Sequence, residues 1–247
     1  EDLPKIKNTV LLSYYYNLMV KYEYFYLNDS EILIYINKLT DIYEKSPSDI
    51  INIRLQHAKC LYYNIKQQHN DCKESTYKIL EITKNNPEYM FYRADAYIFL
   101  GYLYHRDLDK RTALKYFQKA KKLASLSDNI RTKVLAMHNI SLLYWEIHPN
   151  IEKSMSYIKN VINLAKKYSF LSIEIISIIN YARMLAQIQN NYEAYEYAKD
   201  AESKISAYNM EIFKFACIIT IMEITQNLYR YKEFCEYQKK YIKALRE

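Results

Sequence analysis

Two His–Cys pairs stand out for chemistry: His57-x2-Cys60 and His69-x2-Cys72. A spacing of three sets both side chains on one face of a helix, and two such pairs make a ligand set that tetrahedral zinc accepts. The first pair falls inside a helical pattern and the second in the polar stretch from Gln67 to Asp71, with no finger or ribbon pattern around either. Incidental placement is the better reading, and no metal is expected. Asp107 and Asp109 flank Leu108; such carboxylates can do acid–base work or hold a divalent cation, but ahead of a helix they act as caps. No serine stands in a Gly-x-Ser-x-Gly turn and no His-x3-His pair occurs, so nothing points to an enzyme. Tyr14-Tyr15-Tyr16 and Tyr22-Glu23-Tyr24-Phe25-Tyr26 could stack on nucleic-acid bases. Consecutive residues of a helix point in different directions, however, which favours core packing with one partly exposed face.

The elements that must carry these residues follow from composition. The chain has 247 residues, 50% apolar and 26% charged, with one glycine, four prolines and 29 tyrosines. Hairpins, barrels and sandwiches use many positive-φ positions that glycine fills most cheaply, and phosphate-cradling loops need several glycines close together. With Gly101 alone, the expectation is an all-α chain whose short connections are punctuated by Asn, Asp, Ser and Pro, with few positive-φ turns. The net charge of +7 is spread evenly, +4 over residues 1–124 and +3 over 125–247. No basic arm or face of the kind nucleic acid requires stands out. The most apolar stretch, Ile173–Ile179, is broken by Glu174 and Ser177 and is too short to span a bilayer. Cys60, Cys72, Cys217 and Cys235 form no CxxC pair and read as free thiols, which suits a reducing, cytoplasmic setting. A chain that begins at Glu1 reads as an excised or processed piece.

An internal repeat sets the architecture. Tyr97, Leu100, Gly101 and Tyr104 place large, large, small and large side chains on one helical face, and Ala113, Phe117 and Ala120 follow on a second. Met137, Ile140, Ser141 and Tyr144 repeat the first set 40 residues on, followed by Ser154, Ile158 and Val161 after a loop lengthened at Pro149-Asn150. Ile178, Tyr181, Ala182 and Leu185 come 41 residues later, with Ala194, Ala198 and Ala201, where Asn191-Tyr192-Glu193-Ala194 opens the second helix. Ile218, Ile221, Met222 and Thr225, then Phe234 and Tyr241, form a degenerate last copy. Ala58 and Leu61 with Ser75, Ile79 and Ile82 form a looser early one. Pro4, Pro47, Pro87 and Pro149 fall between or before helices, Asp29-Ser30 is the candidate cap of the second helix, and Asp128 and Asn129 can cap one that begins near Ile130.

This pattern resembles the tetratricopeptide repeat (TPR), with a period nearer 40 than the usual 34. A hairpin of that kind cannot bury both faces alone and stacks on copies of itself. The resemblance covers residues ~50–245 and implies a right-handed α-α superhelix of about six TPR-like hairpins. It predicts one repeat domain over residues 1–247, with a divergent first hairpin at 1–45 and a capping hairpin at 209–247. Long-period TPR regions of this kind are similar to the sensor regions of bacterial regulators, the RRNPP-type peptide receptors and MalT-like arms. Those receptors carry a helix-turn-helix domain ahead of the repeats, and residues 1–45 show none.

The resemblance also implies a ligand groove lined by the first helix of each hairpin. The groove positions are Asn52, Gln56, Lys59, Tyr62 and Tyr63 in the second hairpin, and Tyr102, His105 and Arg106 in the third. His138, Asn139, Trp145 and Glu146 follow in the fourth, Asn180, Arg183 and Gln187 in the fifth, and Glu223 and Asn227 in the sixth. Asn139 and Asn180 fall at the same place in consecutive repeats, and in TPR proteins that asparagine often holds a peptide backbone, since an amide both donates and accepts. With Lys59, Arg106 and Arg183, the groove suits an extended peptide bearing an acidic group or free carboxylate. The expected function is a non-catalytic module binding a peptide or protein segment, without cofactor, membrane contact or direct nucleic-acid contact. A homodimer and a domain ahead of residue 1 stay open, and the rival reading is a structural scaffold that self-associates or joins sister domains.

Overall fold

A computed structural model describes residues 8–147 and 151–245. Pro4 and the Pro149-Asn150 connection lie outside them. The described residues form twelve α-helices and two short 3-10 turns, at Pro87–Tyr89 and Glu211–Phe213, with no strand. The helices are α1 (Thr9–Phe25), α2 (Asp29–Lys45), α3 (Asp49–Ile65), α4 (His69–Thr83), α5 (Met90–Arg106), α6 (Lys110–Leu126), α7 (Ile130–Ile147), α8 (Ile151–Lys167), α9 (Leu171–Gln187), α10 (Asn191–Ala207), α11 (Lys214–Asn227) and α12 (Tyr231–Ala244). The all-α expectation holds, and the helices pair into hairpins. Two compact units divide the chain, residues 1–132 and 133–247.

Side-chain caps begin several helices. Asn8 accepts from the Val10 and Leu11 amides, Ser48 from Ile51, and Asp109 from Thr112. Asn129 accepts from the Thr132 amide at 3.1 Å, as anticipated for α7. The cap of α2 is Asn28, one residue before the expected Asp29-Ser30. Of the Asp107–Asp109 pair, only Asp109 caps; Asp107 pairs with Lys73 and His69.

Helix ends depart from what the glycine count suggested. Among the described residues, eight non-glycine ones take left-handed φ: Leu27, Gln67, Leu108, Asp128, Ser169, Gln189, Asn209 and Tyr229. After each, the next amide returns to a carbonyl five residues back, as in Asp109 N to Tyr104 O and Arg230 N to Thr225 O, both 2.9 Å. This is the Schellman closure, ordinarily a glycine site. Scarcity of glycine therefore did not remove positive φ; it moved the conformation onto residues that bear its steric cost. Among the second helices that a further hairpin follows, the exceptions are α2 and α4, which run out toward Pro47 and Pro87 instead.

The left-handed residues also mark the repeat. Gln67 and Leu108 are 41 apart, and Gln189 and Tyr229 are 40 apart. Seven residues before them stand Cys60, Gly101, Ala182 and Met222: small side chains at the first three crossings and a bulky one in the degenerate last copy. Phe117, 1% exposed, lies across Gly101, where an added Cβ would overlap its ring. Ser141 reaches the Ser154 carbonyl at 2.9 Å. In the first unit Val20, Ile32, Leu39 and Ile51 form one core and Ile53, Ile79 and Leu100 a second; in the second unit the core runs from Ile158 through Tyr181 to Ile221. Each buried aliphatic side chain contributes roughly 1.5–3 kcal/mol. The tyrosine triplet divides as helical geometry demands: Tyr16 is buried, Tyr14 exposed and Tyr15 between.

Candidate functional site

The candidate surface is the face that the first helices of the hairpins present beside one another, and each unit has its own. In the first unit, side chains one repeat apart meet along it. Asn17 of α1 donates to the Arg54 carbonyl (3.0 Å) and to His57 Nδ1 (3.2 Å) of α3. His57 in turn sets its ring edge against Phe99 of α5, with centroids 5.5 Å apart. Arg54 binds the Val10 carbonyl (2.6 Å) and Ser13 Oγ (2.8 Å), and its guanidinium lies over Tyr14. Nearer the helix ends, Asn64 donates to Tyr24 Oη (2.6 Å) and accepts from Arg106 (3.1 Å), whose other nitrogen meets His69 Nε2 at 2.9 Å.

Charge on this face is partly withdrawn from water. Burial, then the Lys21 charge, pushes His57 down to about 3, so the ring is neutral at pH 7 and can accept from Asn17. Burial lowers Lys21 despite the opposing pull of Asp95, and the Arg131 and Arg54 charges lower it further. Burial raises Asp95, although Thr132 and Asn129 donate to it. Two cations, Lys21 and Arg131, thus face one hydrogen-bonded carboxylate, and Arg54 acts on Lys21.

In the second unit α7 and α9 make the equivalent face. His138, 4% exposed, pairs through Nδ1 with Ser177 Oγ at 2.8 Å and is pushed down to about 4 by burial. Trp145 donates its indole N–H to Gln187, and Arg183 lies over its ring at 5.6 Å. Asn139 and Asn180 occupy matching places, 8% and 6% exposed, yet they are not equivalent. The Asn139 amide donates to the Leu135 carbonyl of its own helix at 2.8 Å. The Asn180 side-chain amide has no hydrogen-bond partner among the described residues and reaches solvent.

The sequence-predicted residues thus sort into groups. Trp145, Arg183 and Gln187 form one cluster, and Arg106 belongs to the Asn64–His69 network. Tyr102 is exposed with its edge against Phe117, and His105 beside it is half-buried. The second hairpin differs from the others. Asn52 donates to Tyr43 of α2 (3.3 Å), and Gln56 donates to Asn52 (3.1 Å), so both turn toward the neighbouring second helix. Tyr62 packs with the α1–α2 core, and Lys59 is half-buried. The 41-residue step between Gln67 and Leu108 puts Arg54, His57 and Asn64 in register with Asp95, Ile98 and His105. The register anchored on Ala58 and Leu61 differs by two residues from this backbone register. The His57/Cys60/His69/Cys72 set is split among other partners, and no group of three or more His, Cys, Asp or Glu among the described residues could hold a metal. No helix among them is long and apolar enough to cross a membrane.

No protein-family model and no curated protein sequence matches the chain. Solved structures do. The Rap protein complexed with Competence and Sporulation Factor superposes with a TM-score of 0.72 at 14% identity, over 96% of this chain and 66% of that one. The apo quorum sensor NprR from B. thuringiensis gives 0.70 at 14% identity, over 98% and 67%. The signal-transduction ATPase with a tetratricopeptide repeat sensor from Pyrococcus horikoshii gives 0.64 at 16% identity, over 98% and 37%. The chain therefore spans about two thirds of the Rap and NprR chains and little more than a third of the ATPase. Its fold is TPR-like and resembles that of these regulators.

Proposed function

We propose that the chain is a non-catalytic, cytoplasmic peptide-binding module, the sensing or interaction part of a bacterial regulatory protein. The observation that carries this reading is Asn180: a largely buried residue on the shared face of the first helices whose side-chain amide has no protein partner among the described residues and stays open to solvent. A peptide group offers the complementary donor and acceptor. Trp145 and Arg183 beside it supply an aromatic shelf and a cation, the residue types that dominate binding energy. The excess of cations around Asp95 in the first unit favours an acidic segment. Structural neighbours support the reading: NprR has been solved with its cognate peptide NprX.

Selection from a randomised heptapeptide library tests this. The proposal expects enrichment of acidic sequences by the wild-type chain and their loss with Asn180→Ala; equal enrichment by both would refute it. The scaffold reading draws on α1, where Leu11, Leu18 and Tyr22 expose one apolar face. That reading expects mass to rise with concentration in light scattering and Asn180→Ala to change nothing.

A further inference from the structure

We propose that Cys60 and Cys72 form a reversible disulfide site, closed by peroxide, that staples α3 to α4. The two residues stand where Gly101 and Ala113 stand 41 positions later, at the closest approach of the two helices in a hairpin. Cys60 Sγ lies 3.7 Å from the Cys72 carbonyl, and Cys72 Sγ lies 3.4 Å from the Cys60 carbonyl. Each thiol thus touches the other's main chain, which brings the two backbones close together at this crossing; a disulfide bridges about 4.4–6.8 Å between Cα atoms. Both side chains are buried, at 0% and 1% exposure, so an oxidant as small as hydrogen peroxide suits the site. The two other cysteines lie in the second unit.

The surroundings order the chemistry. The Cys60 contact and the positive charge of Arg106 favour the Cys72 thiolate against burial, while that same contact and burial push Cys60 up. Cys72 therefore attacks first. Its sulfur takes one peroxide oxygen, the O–O bond breaks, and the departing hydroxide gains a proton to leave as water. Cys60 then attacks the sulfenic sulfur, an S–S bond forms, and the hydroxyl departs with the Cys60 proton as a second water. Two thiols have lost two electrons and two protons, and one peroxide has become two waters. The bond would lock the hairpin whose tip carries Asn64 and His69, both partners of Arg106.

The full chain is treated with hydrogen peroxide and digested without reductant. A Cys60–Cys72 cross-linked peptide pair is expected, reversed by dithiothreitol, with amide exchange in the α3–α4 hairpin slowed about tenfold or more. Cys60→Ser, which places a hydroxyl at the crossing as Ser141 does, should lose the link and let dimedone trap Cys72 as sulfenic acid. Oxidation of exposed Cys235 to completion with no Cys60–Cys72 link in the wild-type chain would overturn the proposal, whether or not the variant folds.

Discussion

The Phe117 ring fills the space that any side chain at Gly101 would need. The single glycine of the chain is thus a packing residue inside α5 rather than a turn residue, at a helix-interior position where alanine would normally gain about 1 kcal/mol. Gly101→Ala should nevertheless destabilise, because overpacking a close crossing costs about 1–3 kcal/mol. Thermal unfolding should fall by a few degrees. Combined with Phe117→Leu, the two changes should cost less than their sum; strict additivity would mean that the ring does not limit the crossing.

Leu108 holds φ at 63° while its side chain is 81% exposed. Left-handed φ costs a residue with a Cβ about 1–2 kcal/mol, against which glycine loses somewhat more entropy on folding. Leu108→Gly should therefore raise stability by about 0.5–1 kcal/mol in urea unfolding. No gain would show that its strain is relieved by contacts that Leu108 makes.

The fold was legible because the period is written in side-chain size: Gly101, Ser141 and Ala182 mark crossings that recur every 40 or 41 residues. What stayed hidden depends on rotamers and on bulky caps. Leu108 and Tyr229 do not look like helix-ending residues, and only the backbone reveals that they are. Asn139 and Asn180 are identical in type and register, and nothing in their neighbours' identities says that one bonds its own helix while the other does not. The alignment of Cys60 and Cys72 with Gly101 and Ala113 is written in the sequence, but their mutual contact shows only in the packed hairpin.

His138 supplies a pH signature. Burial holds its folded pKa at about 4, below the unfolded value near 6.5, so the unfolded chain binds the extra proton between those values. Its contribution is intact above pH 6.5 and is lost as pH falls toward 4, at up to about 1.4 kcal/mol per pH unit. His138→Gln keeps a partner for Ser177 and should flatten the stability slope between pH 6.5 and 4.5 by close to one proton. An unchanged slope would place the titration elsewhere.

Trp145, the sole tryptophan, stands between Arg183 and Gln187 on the face that carries Asn180. Titration of a library-selected acidic heptapeptide, followed by Trp145 emission, therefore tests peptide capture directly. The wild-type chain should give a saturable change, Asn180→Ala should weaken it by roughly ten- to a hundredfold, the equivalent of about 1.4–2.8 kcal/mol, and Asn139→Ala should weaken it less. An Asn180→Ala chain that folds normally and binds the same peptide with wild-type affinity would contradict the assignment.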